Sequence, residues 1–494
     1  MQGHYISKGN ATMSVKKNYL YNLLYQVLVM ILPLITVPYV SRVLLPQGVG
    51  TYAYTASIVS YFSLLGILGI DTYGNKLIAM TRDDKRKMSE NFISLYLLQL
   101  MLTFASLTAY VLIVLFFVKQ DQSIALIQTI SLLGTVIDCS WFFFGIEQFK
   151  KIVTRNIVIK LLSLAAIFLF VKNPSDLPVY TLIMCLSVFL SALIMWFYLK
   201  GRIMIVRVNF HQIMHHLKPS IVYFIPGIAL EVYFVLNKTM IGIFSNNSEV
   251  GIFDYADKIR MMALSVVTSL GTVMLPRMAH TFAVGQLGKA KDYLLKSLDF
   301  STFLAIPLMF GVAGIAEEFI PWYMGDHFLK SIVVLVILAP TIVLMAWSGV
   351  FGTQYLLPLG KMKAYTTSVY AGAIVNFFVN LMMIRPFGSI GASFGTLAAE
   401  IAVTLVQLYF VRELIPFRRL FPRTLYYLMA GFVMFLLIRM VGSAMGSSIV
   451  TTGVQVFLGC IIYFSIILVK EYVKHDGMIY HEIGKTIQRF RRRR

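Results

Sequence analysis

Long apolar runs separated by short polar, often basic, connections fill almost the whole chain. Each run is near the roughly 20 residues a helix needs to cross about 30 Å of hydrocarbon. The pattern predicts fourteen transmembrane helices, at 18–42, 48–72, 91–118, 122–145, 155–171, 177–199, 219–244, 251–275, 295–318, 329–350, 363–384, 389–412, 422–441 and 448–470. Between the sixth and seventh lies an amphipathic stretch, 207–217 with His211 and His215, that reads as a helix in the membrane interface. The segment 351–362 reads as a loop.

Composition agrees. Of 494 residues 58% are hydrophobic and only 13% charged, against about 25% charged in soluble domains. Cys139, Cys185 and Cys460 are scattered in apolar runs without metal-ligand or disulfide spacing. The net charge of +21 would suggest nucleic acid in a soluble protein. Here the basic residues are dispersed topological anchors, and a nucleic-acid partner is excluded. With an even number of spans both termini lie on one side. Nine of the 43 Lys and Arg residues fall on the other side or within the membrane: Arg42, Lys119, Lys172, Lys238, Lys258, Arg260, Lys330, Arg385 and Arg439. The remaining 34 flank the side of the termini, which the positive-inside rule makes cytoplasmic. The terminal "RFRRRR" is expected on anionic lipid. The polar opening fifteen residues lack the apolar core of a signal peptide, and Met13 is an alternative start.

Two short segments repeat. "GVGTYAYTASI" (48–58) opens the second span and "EVGIFDYADKI" (249–259) the eighth, 201 residues apart. Both spans run in the same direction, as in two halves related by an axis along the membrane normal. Other stretches carry a wider likeness: "LPLITVPYVSRVLLPQGVGTYAYTASIVSYF" (32–62), "DCSWFFFGIEQFKKIVTRNIVIK" (138–160), "LNKTMIGIFSNNSEVGIFDYADKI" (236–259), "MLPRMA" (274–279) and "RPFGSIGASFGTLAAE" (385–400). Together they resemble Wzx-type polysaccharide repeat-unit flippases, of the MOP superfamily that also holds MATE exporters and lipid II flippases. The likeness covers 16–412. Leu45 stands where that family usually has Gly, Phe144 where Gln is common, and Lys76-Leu77 where Arg-Glu is usual.

The expected fold is an all-α integral membrane protein. Two six-helix lobes, 18–199 and 219–412, are related by a pseudo-twofold axis. A linker (200–218) joins them, helices 13 and 14 (413–471) follow, and tails at 1–17 and 472–494 complete the chain. The resemblance implies a transporter in the cell membrane that flips an undecaprenyl-diphosphate-linked oligosaccharide outward for O-antigen, capsule or exopolysaccharide. H⁺ or Na⁺ is a candidate coupling ion, membrane lipids surround it, and polysaccharide polymerase machinery is a candidate neighbour. No cofactor, metal or enzymatic activity is expected. Phosphate-binding glycine loops and HExxH are missing from the sequence.

Charge inside a membrane costs at least about 2.5–3.5 kcal/mol on insertion scales and normally faces a cavity or a partner. Glu231 and Lys238 lie seven residues, two helical turns, apart on one face of the seventh span, with Asn237 beside the lysine. Lys238 either snorkels to the interface or lines a cavity and meets an anion; the short, central Glu231 cannot snorkel. Lys258 and Arg260, with Asp254 and Asp257, open the eighth span either as substrate cations or as a self-neutralised helix start. Arg42 is a substrate cation or an interfacial anchor. Asp71, Asp138 and Glu400 join Glu231 as candidate ion-coupling carboxylates, with helix capping as the alternative. Tyr54 and Tyr61 share a face with Ser57, and Tyr223 and Tyr233 lie in the seventh span; their rings suit sugars or ordinary packing. Rival functions are a MATE-like cation-coupled drug antiporter, a lipid II-type flippase and a membrane polymerase. The cationic balance argues against the first, and the short outer loops against the last.

Overall fold

The computed structural model describes the backbone of residues 8–284, 286–413 and 417–474 and most side chains from Ile31 onward. Among these residues it is helical, with no strand. Eleven helices are long and apolar enough to cross a membrane. One of them, 31–81, holds two of the expected spans, and two further helices, Leu217–Phe244 and Asn247–Ala283, bring the number to the expected fourteen. The protein is a multi-pass membrane protein. It forms two compact units, Met1–Gly251 and Ile252–Arg494.

In the first unit, α1 (Lys8–Ile67) carries both opening spans, broken at Leu45. Pro46 follows, and the residue before a proline is driven out of helical geometry. Leu45 takes φ 58° and ψ 172°, a conformation that costs a side chain about 1–3 kcal/mol and explains why glycine is usual there. A second bend at Leu68 and Gly69 leads into α2 (Ile70–Thr81). Gly69 has φ 75°, and a Cβ there would fall 2.6 Å from the Phe224 backbone nitrogen. Only glycine lets α2 start against α9 (Leu217–Phe244). Next come α3 (Lys85–Phe117), capped by Asp84, then α4 (Gln122–Ile137) and α5 (Ser140–Gly145). After them lie α6 (Phe149–Phe170), α7 (Leu177–Leu199) and the short α8 (Phe210–His215).

The break between α4 and α5 leaves the last carbonyls of α4 without helical partners, inside a segment where water cannot satisfy them. Side chains from two other helices do so. Gln99 Nε2 donates to the carbonyls of Thr135 (3.0 Å) and Asp138 (2.8 Å), Tyr96 Oη to Val136 (3.5 Å), and Trp196 Nε1 to Ile137 (2.7 Å). Trp141 Nε1 in turn donates to Gln99 Oε1 at 2.9 Å. Ile70, Ile78, Phe92, Leu95, Phe142 and Met195 pack beneath this network in one buried cluster.

The chain passes into the second unit within α10 (Asn247–Ala283), which leads to α11 (Leu287–Met324). The tenth span is broken into α12 (Lys330–Leu338) and α13 (Thr341–Ser348) at Pro340, which lacks a donor. The expected loop at 351–362 is helical as far as Leu356: Gly349–Leu356 continues α13 in π geometry. Gln354 within it accepts a hydrogen bond from Ser297 on α11. The antiparallel pair α14 (Met362–Phe387) and α15 (Ser389–Val411) follows, then α16 (Phe417–Met445) and α17 (Ile449–Lys474).

Ion pairs join α16 to α11 near both ends. Arg423 lies 3.5 Å from Asp299, which also accepts from Tyr427 Oη at 3.2 Å. Arg439 bonds both oxygens of buried Glu318 at 2.8 Å and reaches Glu317; Gln455 of α17 donates to Glu318 at 3.0 Å. Asp299 and Glu318 are nineteen residues apart, about 28 Å along a helix, which is close to the hydrocarbon thickness.

Candidate functional site

In the first unit α9 lies along the second half of α1, and three side-chain contacts set its register. A Cβ on Gly242 would fall 2.1 Å from the Tyr54 ring, so that ring lies against the bare glycine. One turn earlier, Thr239 Oγ1 is 2.9 Å from Ser57 Oγ and donates to Tyr61 Oη at 3.3 Å. Asn237 is buried here, and Lys238, between Asn237 and Thr239, is partly exposed. Tyr54, Ser57 and Tyr61 of α1 therefore meet Thr239 and Gly242 of α9 at one helix seam, where Tyr54 packs and Tyr61 accepts a hydrogen bond. The Glu231 and Tyr233 side chains lie outside the described residues.

At one end of this seam the two repeat segments touch. A Cβ on Gly50 would fall 1.6 Å from the Asn247 carbonyl oxygen, and one on Gly251 would fall 2.2 Å from that of Pro46. Asn247 Nδ2 donates to Asp121 Oδ2 (2.7 Å) and Thr51 Oγ1 (2.8 Å). These contacts were not visible in the sequence, because Asp121 is 126 residues from Asn247.

Toward the other end, α4, α5, α6 and α7 and the last turn of α1 line a partly open cavity of about 310 Å³. Ile67, Thr135, Asp138, Ser140, Arg155, Asn156, Lys160, Ser187 and Ser191 are among its lining. The α4–α5 break places Asp138, whose Oδ1 accepts from Ser140 Oγ (2.6 Å) and Ser140 N (3.2 Å). Arg155, 7% exposed, donates to acceptors on three helices. Nη1 donates to Ser140 Oγ (3.2 Å) and the Ser191 carbonyl (2.8 Å); Nε and Nη2 donate to Asn156 Oδ1 (3.0 and 2.8 Å). Sequence reasoning counted Arg155 and Lys160 among the basic anchors near a loop. Their position inside a family-like segment was the available signal, but only the packing of α4, α6 and α7 turns them inward.

Other candidates stand apart. Arg42 is exposed and donates to the Pro38 carbonyl at 2.7 Å. Asp71 is exposed in the first turn of α2, where the helix dipole favours a carboxylate. In the second unit, Lys258 lies 2.6 Å from Asp254 and 4.7 Å from the Tyr255 ring centroid. Arg260, 2% exposed, bonds Asp257 (2.6 and 2.9 Å) and Thr341 Oγ1 (3.0 Å). Glu400 is buried on α15.

Residues 15–282 match the model of a family described as "Polysaccharide biosynthesis protein". The chain is 24% identical over 409 residues to the "Putative O-antigen transporter" of Escherichia coli (strain K12), covering 81% of this chain and 97% of that one. It is 20% identical over 273 residues to the "Probable low-salt glycan biosynthesis flippase Agl15" of Haloferax volcanii, covering 54% and 56%. In fold it is similar to the lipid II flippase MurJ in an inward closed conformation (TM-score 0.74, 14% identity, 92% of this chain and 100% of that one). It is also similar to an inward-facing MATE-family multidrug resistance transporter of the MOP superfamily (TM-score 0.58, 10% identity, 78% and 97%). With the family match spanning more than half its length, and with the motifs quoted above, this chain belongs to the polysaccharide biosynthesis protein family and has the fold of MOP-superfamily transporters.

Proposed function

We propose that the protein is a flippase that moves an undecaprenyl-diphosphate-linked oligosaccharide from the inner to the outer leaflet of the cell membrane by alternating access, for surface polysaccharide assembly. The observation that carries this reading is the polar cavity between membrane-spanning helices of the first unit, lined by two cationic side chains and one carboxylate. A charge-bearing cavity amid lipid-facing helices has to hold something polar, and its balance favours an anionic cargo over the cation of a drug antiporter. The family and the names of the relatives support a polysaccharide precursor over lipid II. Both termini are cytoplasmic in this reading. Lys238, with Asn237, Tyr54 and Tyr61 at the α1–α9 seam, contacts the headgroup and first sugars. Arg42, Lys258 and Arg260 supply further positive charge along the passage. Glu231, Asp71, Asp138 and Glu400 are the carboxylates through which H⁺ or Na⁺ would couple.

The test is surface polymer in a deletion strain carrying Lys238 variants at matched protein levels. Lys238→Ala is expected to lower polymer by about tenfold or more, the effect of losing one charge-assisted contact. Lys238→Arg should keep much of the activity, since the sign of the charge matters more here than its shape. Equal polymer from the Ala, Gln and Arg variants would remove Lys238 from the site.

A further inference from the structure

An exposed apolar side chain within a span meets lipid, but the chain between α7 and α8 lies outside the spans. Residues 204–209 have no regular secondary structure. Even so, Ile205 is fully exposed, Phe210 65% and Met204 46%. Water disfavours such a set, and exposed apolar groups gathered in one place mark a contact surface. Lys200, Arg202 and Arg207 are interspersed with them.

The segment is fastened to the first unit. Gly201, at φ 77°, turns the chain out of α7, and its carbonyl accepts from Lys85 Nζ at 3.2 Å. Met204 N donates to Ser89 Oγ at 3.0 Å. Ile203 and Val208 pack on the buried cluster that holds Phe92 and Leu95 of α3. Asn209 and Gln212 cap α8 reciprocally (2.7 and 2.8 Å), and Gln212 Nε2 donates to Glu90 at 2.6 Å. The helical part of the stretch expected in the interface, α8, turns Ile213 into the same cluster, leaving it 8% exposed. The extended part before it faces outward instead. Ser89 and Glu90 immediately precede the expected third span, 91–118, so the segment sits at the depth where that span leaves the hydrocarbon. Backbone without helical or sheet pairing is excluded from the hydrocarbon itself, and the interface is the layer that accepts it.

We propose that residues 200–210 form a membrane-surface strap that binds anionic phospholipid, with Met204, Ile205 and Phe210 at the acyl boundary and Arg202 and Arg207 at the phosphates. Cations set among apolar side chains match headgroup and acyl boundary together. A soluble acidic partner would match the cations alone. Which leaflet the strap meets rests on the cytoplasmic orientation proposed above; the strap itself rests on the packing of 200–212.

The test uses the full chain in a cysteine-free background, with Ile205→Cys carrying a bimane label, in nanodiscs of phosphatidylcholine or of an equal mixture with phosphatidylglycerol. Both leaflets then carry the same lipid, so the outcome is independent of orientation and of transport. Lipids spin-labelled near the top of the acyl chain should quench this label more than the same label at Asp83→Cys, on the exposed turn before α3. Quenching should rise with phosphatidylglycerol and fall with salt. Each arginine near an anionic surface shifts the partition by about fivefold. Arg202→Gln with Arg207→Gln should therefore lower the ratio of quenched to unquenched label by about 25-fold and remove most of the dependence on phosphatidylglycerol. Quenching at Ile205→Cys no greater than at Asp83→Cys would overturn the strap and point to a soluble partner. Equal quenching in the two lipids would overturn the choice of anionic phospholipid.

Discussion

His216 is 6% exposed at the entry to α9, with its Nδ1 3.0 Å from Tyr73 Oη. When that nitrogen is unprotonated the tyrosine hydroxyl donates to it. The His215 ring lies 5.9 Å away, and on the other side Tyr73 stacks on Tyr223, which accepts from Lys76 Nζ. Burial, with His215 second, holds the imidazole pKa below its ordinary 6.5. The sign follows from linkage: as pH falls through that ordinary value the unfolded chain takes up a proton that the folded state refuses. The contribution of His216 to stability is thus complete above pH about 6.5 and is lost as pH falls through the depressed folded value. Thermal unfolding of the detergent-solubilised protein should move to lower temperature between pH 7 and 5, and His216→Gln should flatten that slope. An unchanged slope would mean that other groups carry the acid sensitivity.

At the scale of elements, two devices keep irregular or charged backbone tolerable in lipid. The α4 carbonyls freed by the α4–α5 break are taken by Gln99, Tyr96 and Trp196, and so the break can place Asp138 in a cavity. The second device attaches the last two spans. Glu318 is shared between Arg439 of α16 and Gln455 of α17, and a Cβ on Gly442 would fall 2.5 Å from its carboxyl carbon. Removing one partner of such a pair costs about 3–5 kcal/mol, whereas replacing both with apolar groups can be close to neutral. Glu318→Ala should therefore lower the unfolding temperature markedly, by the amount about 3 kcal/mol implies. Glu318→Leu combined with Arg439→Met should recover most of it. Additive losses in the double variant would show that the two groups do not act as a pair.

For the whole molecule, the expectation concerns orientation. In a cysteine-free background, Lys119→Cys at the far end of α3 should react with an impermeant thiol reagent added to intact cells. Asp83→Cys before α3 should react only after lysis. The reverse result would overturn the inference from the positive charges, and with it the placement of both termini in the cytoplasm. The charge asymmetry at stake is large: the fourteen expected spans assign 34 of the 43 basic residues to one side.

The sequence by itself determined the class of fold and the number of spans, because a helix must be apolar for about 20 residues to cross a bilayer and that is a local property of the chain. It also marked Leu45 as anomalous and drew attention to the repeat, in which Gly50 and Gly251 prove to face backbone. Tertiary structure alone decided which charges share a space. Arg155 and Lys160 read as loop anchors until α4, α6 and α7 are seen beside them, and only the packing of α13 brings Thr341 to Arg260. Likewise the π-helical end of the tenth span holds because Gln354 is met by Ser297, a residue 57 positions away. Pairings between helices depend on register and rotation about each axis, and those are set by contacts such as Tyr54 on Gly242 that no single segment encodes.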